Sequence, residues 1–319
     1  MIYIAIKIYN LITRLYIKYI ISYLRLYHKI FKYSDNKSVI FQGEISFNQQ
    51  PYGCAFSHFD VDNMIDDYVL HYLKTLKEAG FAIVFVSTSR FIKEKYIKSI
   101  QPLVSQIILR KNVGSDIKSY AVGIEILIKQ NHFSKILIAN DSVYGPFFDL
   151  KDLLTTMDNK SLDIMGITDS WQNYYHIQSY FILFNTEVLK HTKVKEFWNN
   201  IAPTNNKHFI ISEYEIGFSR MIAKLPFKYA AFCHYDDICL YYYNSSNNKI
   251  NLTKNYNPTH EFWDVLITNF KCPFIKIELL RKNPSKVKNI IIWRKIITES
   301  SDYNIEPINR HLRRLYKDH

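Results

Sequence analysis

Glycine is scarce in this chain of 319 residues, eight in all, so a glycine inside a polar loop carries more information than usual. Cysteine is scarcer still. Cys54, Cys233, Cys239 and Cys272 lie far apart without a Cys-x-x-Cys pair, which argues against a disulfide framework or a zinc site and points to reduced, buried thiols. Residues 2–33 have no apolar run approaching the roughly 18 residues of a membrane span. The charges that interrupt this stretch at regular intervals exclude a cleaved signal peptide. The middle of the chain also lacks net charge. Residues 41–274 hold 23 basic and 23 acidic side chains, so the excess of +12 sits wholly at the ends. Residues 1–40 carry seven Lys/Arg against one Asp, and residues 275–319 carry eleven against five acids. This distribution argues against nucleic-acid binding and makes an anionic membrane surface the expected partner of the ends.

What is present supports a large core: 48% hydrophobic residues, with 25 Tyr and 21 Phe. In the amino-terminal arm the cations Lys7, Arg14, Lys18, Arg25, Lys29 and Lys32 follow helical spacing. At about 100° per residue they form one narrow stripe, with Ile, Leu and Tyr around the rest. Such a helix suits the plane of a membrane interface. It also suits packing on the domain with its cations in water.

The central part alternates strands and helices. Gly53–His58 reads as a strand, and Asp62 or Asn63 is positioned to cap a helix with apolar positions Ile65, Tyr68, Val69, Tyr72, Leu73 and Leu76, closed by Gly80. Phe81–Val86 is an apolar run of strand length, Gln106–Leu109 a shorter strand, residues 117–129 a helix, and Lys135–Asn140 a strand. This pattern predicts an α/β fold with a doubly wound, mostly parallel sheet. The expected divisions are an amphipathic arm at 1–45, a catalytic-type domain at 46–270 and a basic helical tail at 271–319. The tail, with Trp293 and Tyr316 near cations, either presses on a membrane or packs across the domain.

Two polar loops follow strands and face one crevice if those strands are parallel. One is Arg110-Lys-Asn-Val-Gly-Ser-Asp116; the other is Asn140-Asp-Ser142, leading into Tyr144-Gly-Pro146. A carboxylate at the carboxyl edge of such a sheet is placed to meet a metal or phosphate. Helix capping is the simpler explanation for either loop alone. One reading is a haloacid-dehalogenase-like phosphohydrolase, with Asp60 as nucleophile, Asp62 two residues on and Ser87-Thr88 after the next strand. Against it, Asn63 stands where that pattern has Thr, and no later lysine stands out. The other reading is a nucleotide-sugar glycosyltransferase with a GT-A-like sheet. In it Asp141 helps hold Mg²⁺ or Mn²⁺ against the donor diphosphate, although Asn140-Asp141-Ser142 offers one carboxylate where Asp-x-Asp offers two. Arg110 or Lys111 could then act as a fixed cation. A non-catalytic scaffold of polysaccharide machinery is the third possibility.

Eight segments, in order over residues 50–285, resemble the rhamnan synthesis protein F family of GT-A-like glycosyltransferases. They run from Ser57-His-Phe-Asp-Val-Asp-Asn63 with Asp66-Asp-Tyr68, through Phe85–Ser89, Arg110–Asp116 and Asn140–Pro146. They continue with Asp163–Thr168, His176–Phe181, Glu196-Phe-Trp198 and Pro273–Arg281 with Asn283-Pro284. The resemblance implies sugar transfer, typically of rhamnose from dTDP-rhamnose or another dTDP- or UDP-sugar, onto a lipid-linked glycan. The protein would then be cytoplasmic, peripheral on the inner face of the membrane. Within this frame Ser57 and Asp60 lie near the nucleotide, and Arg110, Asn112, Gly114, Asp116, Asn140 and Ser142 line the donor. His176, Gln178 and Ser179 meet the transferred or acceptor sugar. Glu215, with Glu213 as the competing carboxylate, is the expected general base, Asp141 the principal catalytic contact, and His234 a further metal ligand.

Overall fold

The computed structural model describes residues 38–89, 91–245 and 255–317, together with Tyr16, Tyr19 and Tyr23. The six-cation stripe therefore lies outside the described residues. Eleven strands are present among them: β1 (Val39–Gln42), β2 (Tyr52–His58), β3 (Phe81–Ser87), β4 (Gln106–Leu109), β5 (Lys135–Asn140), β6 (Val143–Tyr144), β7 (Ile164–Ser170), β8 (His176–Ile177), β9 (Phe181–Asn185), β10 (Tyr229–Cys233) and β11 (Ile275–Lys276).

The main sheet runs in the order β1-β4-β3-β2-β5-β9-β7-β10, with β8 on β7. Strands β4, β3, β2 and β5 are mutually parallel, and β10 is parallel to β7. Strands β1 and β9 run against their neighbours. The sheet is the mostly parallel, doubly wound one that the alternation predicts. Its strands are long apolar runs because both faces are covered. Along β3, Phe81, Ile83 and Phe85 enter one core, whereas Ala82, Val84 and Val86 enter the other.

The second face carries the helix Ser115–Lys129, which sits close because Gly123 faces Ala55. A Cβ there would lie 2.5 Å from the Ala55 Cβ. The first face carries the helix Asp67–Glu78, and it also carries the tail. Cys272, Phe274, Ile275, Leu279, Trp293, Ile297, Tyr303, Ile308 and Leu312 belong to the same core as Phe56 and Phe85. Burying each such side chain contributes about 1.5–3 kcal/mol, so residues 271–317 form an integral layer of the domain. Of the two placements open to the tail, packing across the domain is the one observed.

Three local expectations shift. Residues 39–42, grouped with the arm, form an edge strand on β4. The first helix begins at Asp67, not after Asp62 or Asn63. The amides of Asp62 and Met64 donate instead to Asp60 Oδ1, at 3.0 and 2.9 Å, and Asn63 takes a left-handed φ of 59°. A short polar side chain has here captured the backbone donors that a helix start would use. Beyond Pro273 the chain makes β11 before its helices, pairing antiparallel with β6. Among the described residues no helix is long and apolar enough to cross a membrane.

Candidate functional site

Strand order reverses at β2. Its successors β3 and β4 lie to one side, and β5 lies to the other. The loops leaving β2 and β5 therefore part and leave a crevice at their carboxyl ends, where ligands enter such sheets. Ser57 and Asn140 are register partners at this edge. Because β9 runs the other way, its entry residues Ser179 and Tyr180 arrive at the same edge, and the Asn140 amide donates to the Tyr180 carbonyl at 3.3 Å.

Asp116 anchors the crevice from the first turn of the helix Ser115–Lys129. Its Oδ1 accepts from Ser57 Oγ at 3.3 Å and its Oδ2 from Asn140 Nδ2 at 3.0 Å. Asn140 Oδ1 in turn accepts from the Ser142 hydroxyl and amide, at 2.6 and 3.1 Å. Burial raises the Asp116 pKa, while the Ser57 and Asn140 hydrogen bonds and the charge of Lys276 oppose that rise. Asp141 lies one residue on, its side chain 13% exposed, with Oδ2 accepting from the Phe59 amide at 3.0 Å and 3.8 Å from His58 Nε2. Burial pushes its carboxyl well above the usual range, and the nearby charges of Asp116 and Asp60 add to the rise.

The 110–116 loop is fastened rather than open. Arg110, 4% exposed, donates to the Val113 carbonyl at 2.6 Å and to Ser119 Oγ at 3.3 Å. Its guanidinium is used as an internal strut and is not presented to the crevice as the expected fixed cation. Asn205 holds the loop from outside, donating to the Asn112 carbonyl and accepting from the Gly114 amide, both at 2.9 Å. Gly114 has φ +85°, and a Cβ there would meet Lys118 Cβ at 2.8 Å, so the position requires glycine for the turn itself.

Asp60 stands apart from this network. Arg314, from the carboxyl-terminal helix Glu306–Lys317, lays its guanidinium across Asp60, Asp62 and Asp66. Asp60 Oδ1 is taken by backbone amides and Oδ2 by Arg314, so this carboxylate fastens the loop to the carboxyl-terminal helix, which counts against the phosphohydrolase reading.

Glu215 lies in a π-helical stretch, Ile211–Ile216, a departure common at functional positions. It accepts from Ser179 Oγ, and with that serine it lines a small enclosed pocket whose other walls include Ile138, Trp198 and Phe218. Gln178 is turned to Thr168 Oγ1, at 2.6 Å. His176 sits opposite Ser170 at the end of β7, two strands from β5, with Nδ1 on the Tyr174 carbonyl at 2.9 Å. His234 is there too. Its Nε2 lies 3.4 Å from Oδ2 of Asp169, a fully buried carboxylate that also accepts from the Tyr235 amide at 2.7 Å. Sequence reasoning passed over Asp169. The available signal was its position directly after the apolar strand residues Ile164–Thr168.

Lys276 was missed as well. Strand β11 brings its Nζ to 3.4 Å from Ser142 Oγ and 3.9 Å from the centroid of the Tyr180 ring. Burial lowers its pKa to about 8, against the opposing charges of Glu215, Asp116 and Glu278. The crevice thus combines an embedded ammonium, two carboxylates with separate hydrogen-bond partners, Asp116 and Asp141, and a glutamate approached through Ser179. It can receive an anion beside a cation and take up a proton nearby.

These residues make a poor seat for Mg²⁺ or Mn²⁺. Both oxygens of Asp116 are engaged, which leaves Asp141 as the one carboxylate of the turn, and the Lys276 ammonium already sits on the neighbouring Ser142 hydroxyl. Among the described residues three possible ligands converge only at Asp60, Asp66 and His311, and there Arg314 already bridges the two carboxylates.

A family model described as rhamnan synthesis protein F matches residues 83–318. The match begins inside β3 and, unlike the resemblance read from the sequence, extends past residue 285 through the helix that carries Arg314. The uncharacterized protein y4gN of Sinorhizobium fredii is 28% identical over 171 residues, covering 52% of this chain and 44% of y4gN, so the chain spans less than half of that relative. Virulence protein VirA of Vibrio anguillarum is 25% identical over 235 residues, 66% of this chain and 72% of VirA. Among solved structures, TarS 1–349 of S. aureus in complex with UDP gives a TM-score of 0.33 at 19% identity, over 44% of this chain and 48% of that one.

Proposed function

The chain belongs to the rhamnan synthesis protein F family, a glycosyltransferase family of polysaccharide assembly, and we propose that it transfers a sugar from a nucleotide donor onto a lipid-linked glycan. Rhamnose from dTDP-rhamnose is the donor we assign, with other dTDP- and UDP-sugars as the alternatives to be tested against it. The observation that carries the reading is the convergence of Ser57, Asp116, Asn140 and Asp141 at the strand-order reversal between β2 and β5. Open α/β sheets bind nucleotides at that point.

In this reading the nucleotide diphosphate lies along the Asn140–Ser142 turn. The acceptor hydroxyl approaches from the side of Ser179. Glu215 takes the hydroxyl proton as the oxygen attacks the sugar, a role for which it needs to be ionised and within hydrogen-bond reach. The acceptor's lipid anchor keeps the reaction at a membrane surface. The six-cation stripe of the arm supports attachment to anionic headgroups on the cytoplasmic side.

The test is release of free nucleotide from a panel of dTDP- and UDP-sugars, with a membrane lipid extract as acceptor. Release that depends on both donor and lipid, and disappears in Asp141→Ala, is expected. Absence of nucleotide release and of nucleotide binding would overturn the reading.

A further inference from the structure

Lys276 is carried into the crevice by backbone pairing. Ile275 and Lys276 pair antiparallel with Tyr144 and Val143, just beyond β5, and the Ile277 amide donates to the Ser142 carbonyl at 3.1 Å. The ammonium is held by Ser142 Oγ at 3.4 Å and by the face of Tyr180 at 3.9 Å. Among the described residues no carboxylate forms an ion pair with it. Asp116 and Glu215 stand near enough to favour its charge, yet burial outweighs them. A half-buried ammonium with one hydroxyl and one ring as neighbours is an expensive arrangement unless an anion completes it. The adjoining turn does not complete it: Asn140 and Ser142 are neutral and bonded to each other, and the Asp141 carboxylate accepts from the Phe59 amide rather than pairing with Lys276.

Resting on the glycosyltransferase reading above, we infer that Lys276 is the catalytic cation for the departing diphosphate, and that donor binding and transfer need no divalent ion. In the step, the bond between the sugar C1 and the β-phosphate oxygen breaks and its electron pair stays on that oxygen. The acceptor oxygen bonds to C1, and its proton passes to Glu215. The diphosphate gains one negative charge, and Lys276, keeping its protons, lies against it. A cation fixed before the reaction begins needs no reorganisation when that charge appears. It also replaces the ion that a single-carboxylate turn holds weakly.

The experiment titrates dTDP, UDP and diphosphate-free thymidine into the full chain by calorimetry, with EDTA or with Mg²⁺, for wild type, Lys276→Met and Lys276→Arg. Wild type is expected to bind a nucleoside diphosphate equally well in both buffers. Lys276→Met should lose about tenfold or more for the diphosphate, the size of one charge-assisted hydrogen bond. It should keep its binding of thymidine, which also reports that it is folded. Lys276→Arg should recover much of the loss. Diphosphate binding that vanishes in EDTA, or that Lys276→Met leaves intact, would refute the inference while the donor site stands. If wild type binds no nucleotide in either buffer, the glycosyltransferase reading falls and the inference falls with it.

Discussion

Arg314 lays its guanidinium on the carboxylate of Asp60, 254 residues away in sequence, and the same fork reaches Asp62 and Asp66. The Arg314 side chain is 17% exposed, and those of Asp60 and Asp66 are 10% and 15%. Removing one partner of such a pair strands the other's charge. Arg314→Ala should therefore cost about 3–5 kcal/mol in urea unfolding, with partial recovery in Arg314→Lys, which lacks the planar fork. A change within the scatter of surface substitutions would mean that the three acids are solvated after all.

Stability should weaken in mild acid. His58 and His311 are both buried, and burial lowers each pKa to about 4. Their folded values lie below the unfolded value near 6.5, so the unfolded chain binds protons first. The stabilisation is complete above about pH 6.5 and is lost as pH falls towards 4, about 3 kcal/mol for each histidine at most. The raised carboxyls of Asp116 and Asp141 act in the opposite sense. A difference measurement isolates His311. His311→Gln loses the Tyr144 hydrogen bond at every pH, but its deficit in Tm against wild type should shrink between pH 7.5 and 5 by the equivalent of about 2 kcal/mol. A deficit constant across that range would contradict a neutral His311.

Donor binding should fall at alkaline pH. Lys276 loses its proton in the free protein near pH 8, and Asp116, Glu215, Glu278 and Cys272 are the groups that favour its charge. The affinity for dTDP should decline about tenfold per pH unit above 8, provided the charged form alone receives the diphosphate. Lys276→Arg should be flat over the same range, because guanidinium does not titrate there.

Glu215→Gln should slow transfer by about 10²–10⁴-fold while donor affinity stays within a factor of two or so, as expected for a base that acts only on the acceptor. Ser179→Ala, which removes the serine hydroxyl that Glu215 accepts from, should slow turnover less than Glu215→Gln does and leave donor affinity unchanged. Equal loss of donor affinity in Glu215→Gln would place the residue in the nucleotide site.

Removing residues 1–33 should lower binding to vesicles rich in anionic lipid and leave binding to neutral vesicles unchanged. The arm contributes six cations at about 1 kcal/mol apiece near such a surface. Undiminished attachment of the shortened chain would assign the membrane contact elsewhere.

The sheet was readable because its strands are uninterrupted apolar runs between polar loops. Gln106–Leu109 was placed to the residue, and the strand read as Gly53–His58 begins only one residue earlier. The two crevice loops were readable because they follow parallel strands, whose carboxyl ends share one edge by geometry. Lys276 and Arg314 were hidden for the converse reason. Their partners lie 134 and 254 residues away, and nothing in a run of tail cations shows which of them faces inward. The 59–66 loop misled in another way. Asp62 and Asn63 look like helix caps, but the cap competes with the Asp60 carboxylate for the same amides, and the carboxylate wins.

Strand β11 and the helix that carries Arg314 are made late on the ribosome, yet one completes the crevice at Ser142 and the other the acidic loop at residues 60–66. A nascent chain released only as far as β10 would have its central sheet, three unneutralised aspartates and a crevice without its ammonium. With the role proposed for Lys276, donor capture would wait until the carboxyl-terminal layer has closed.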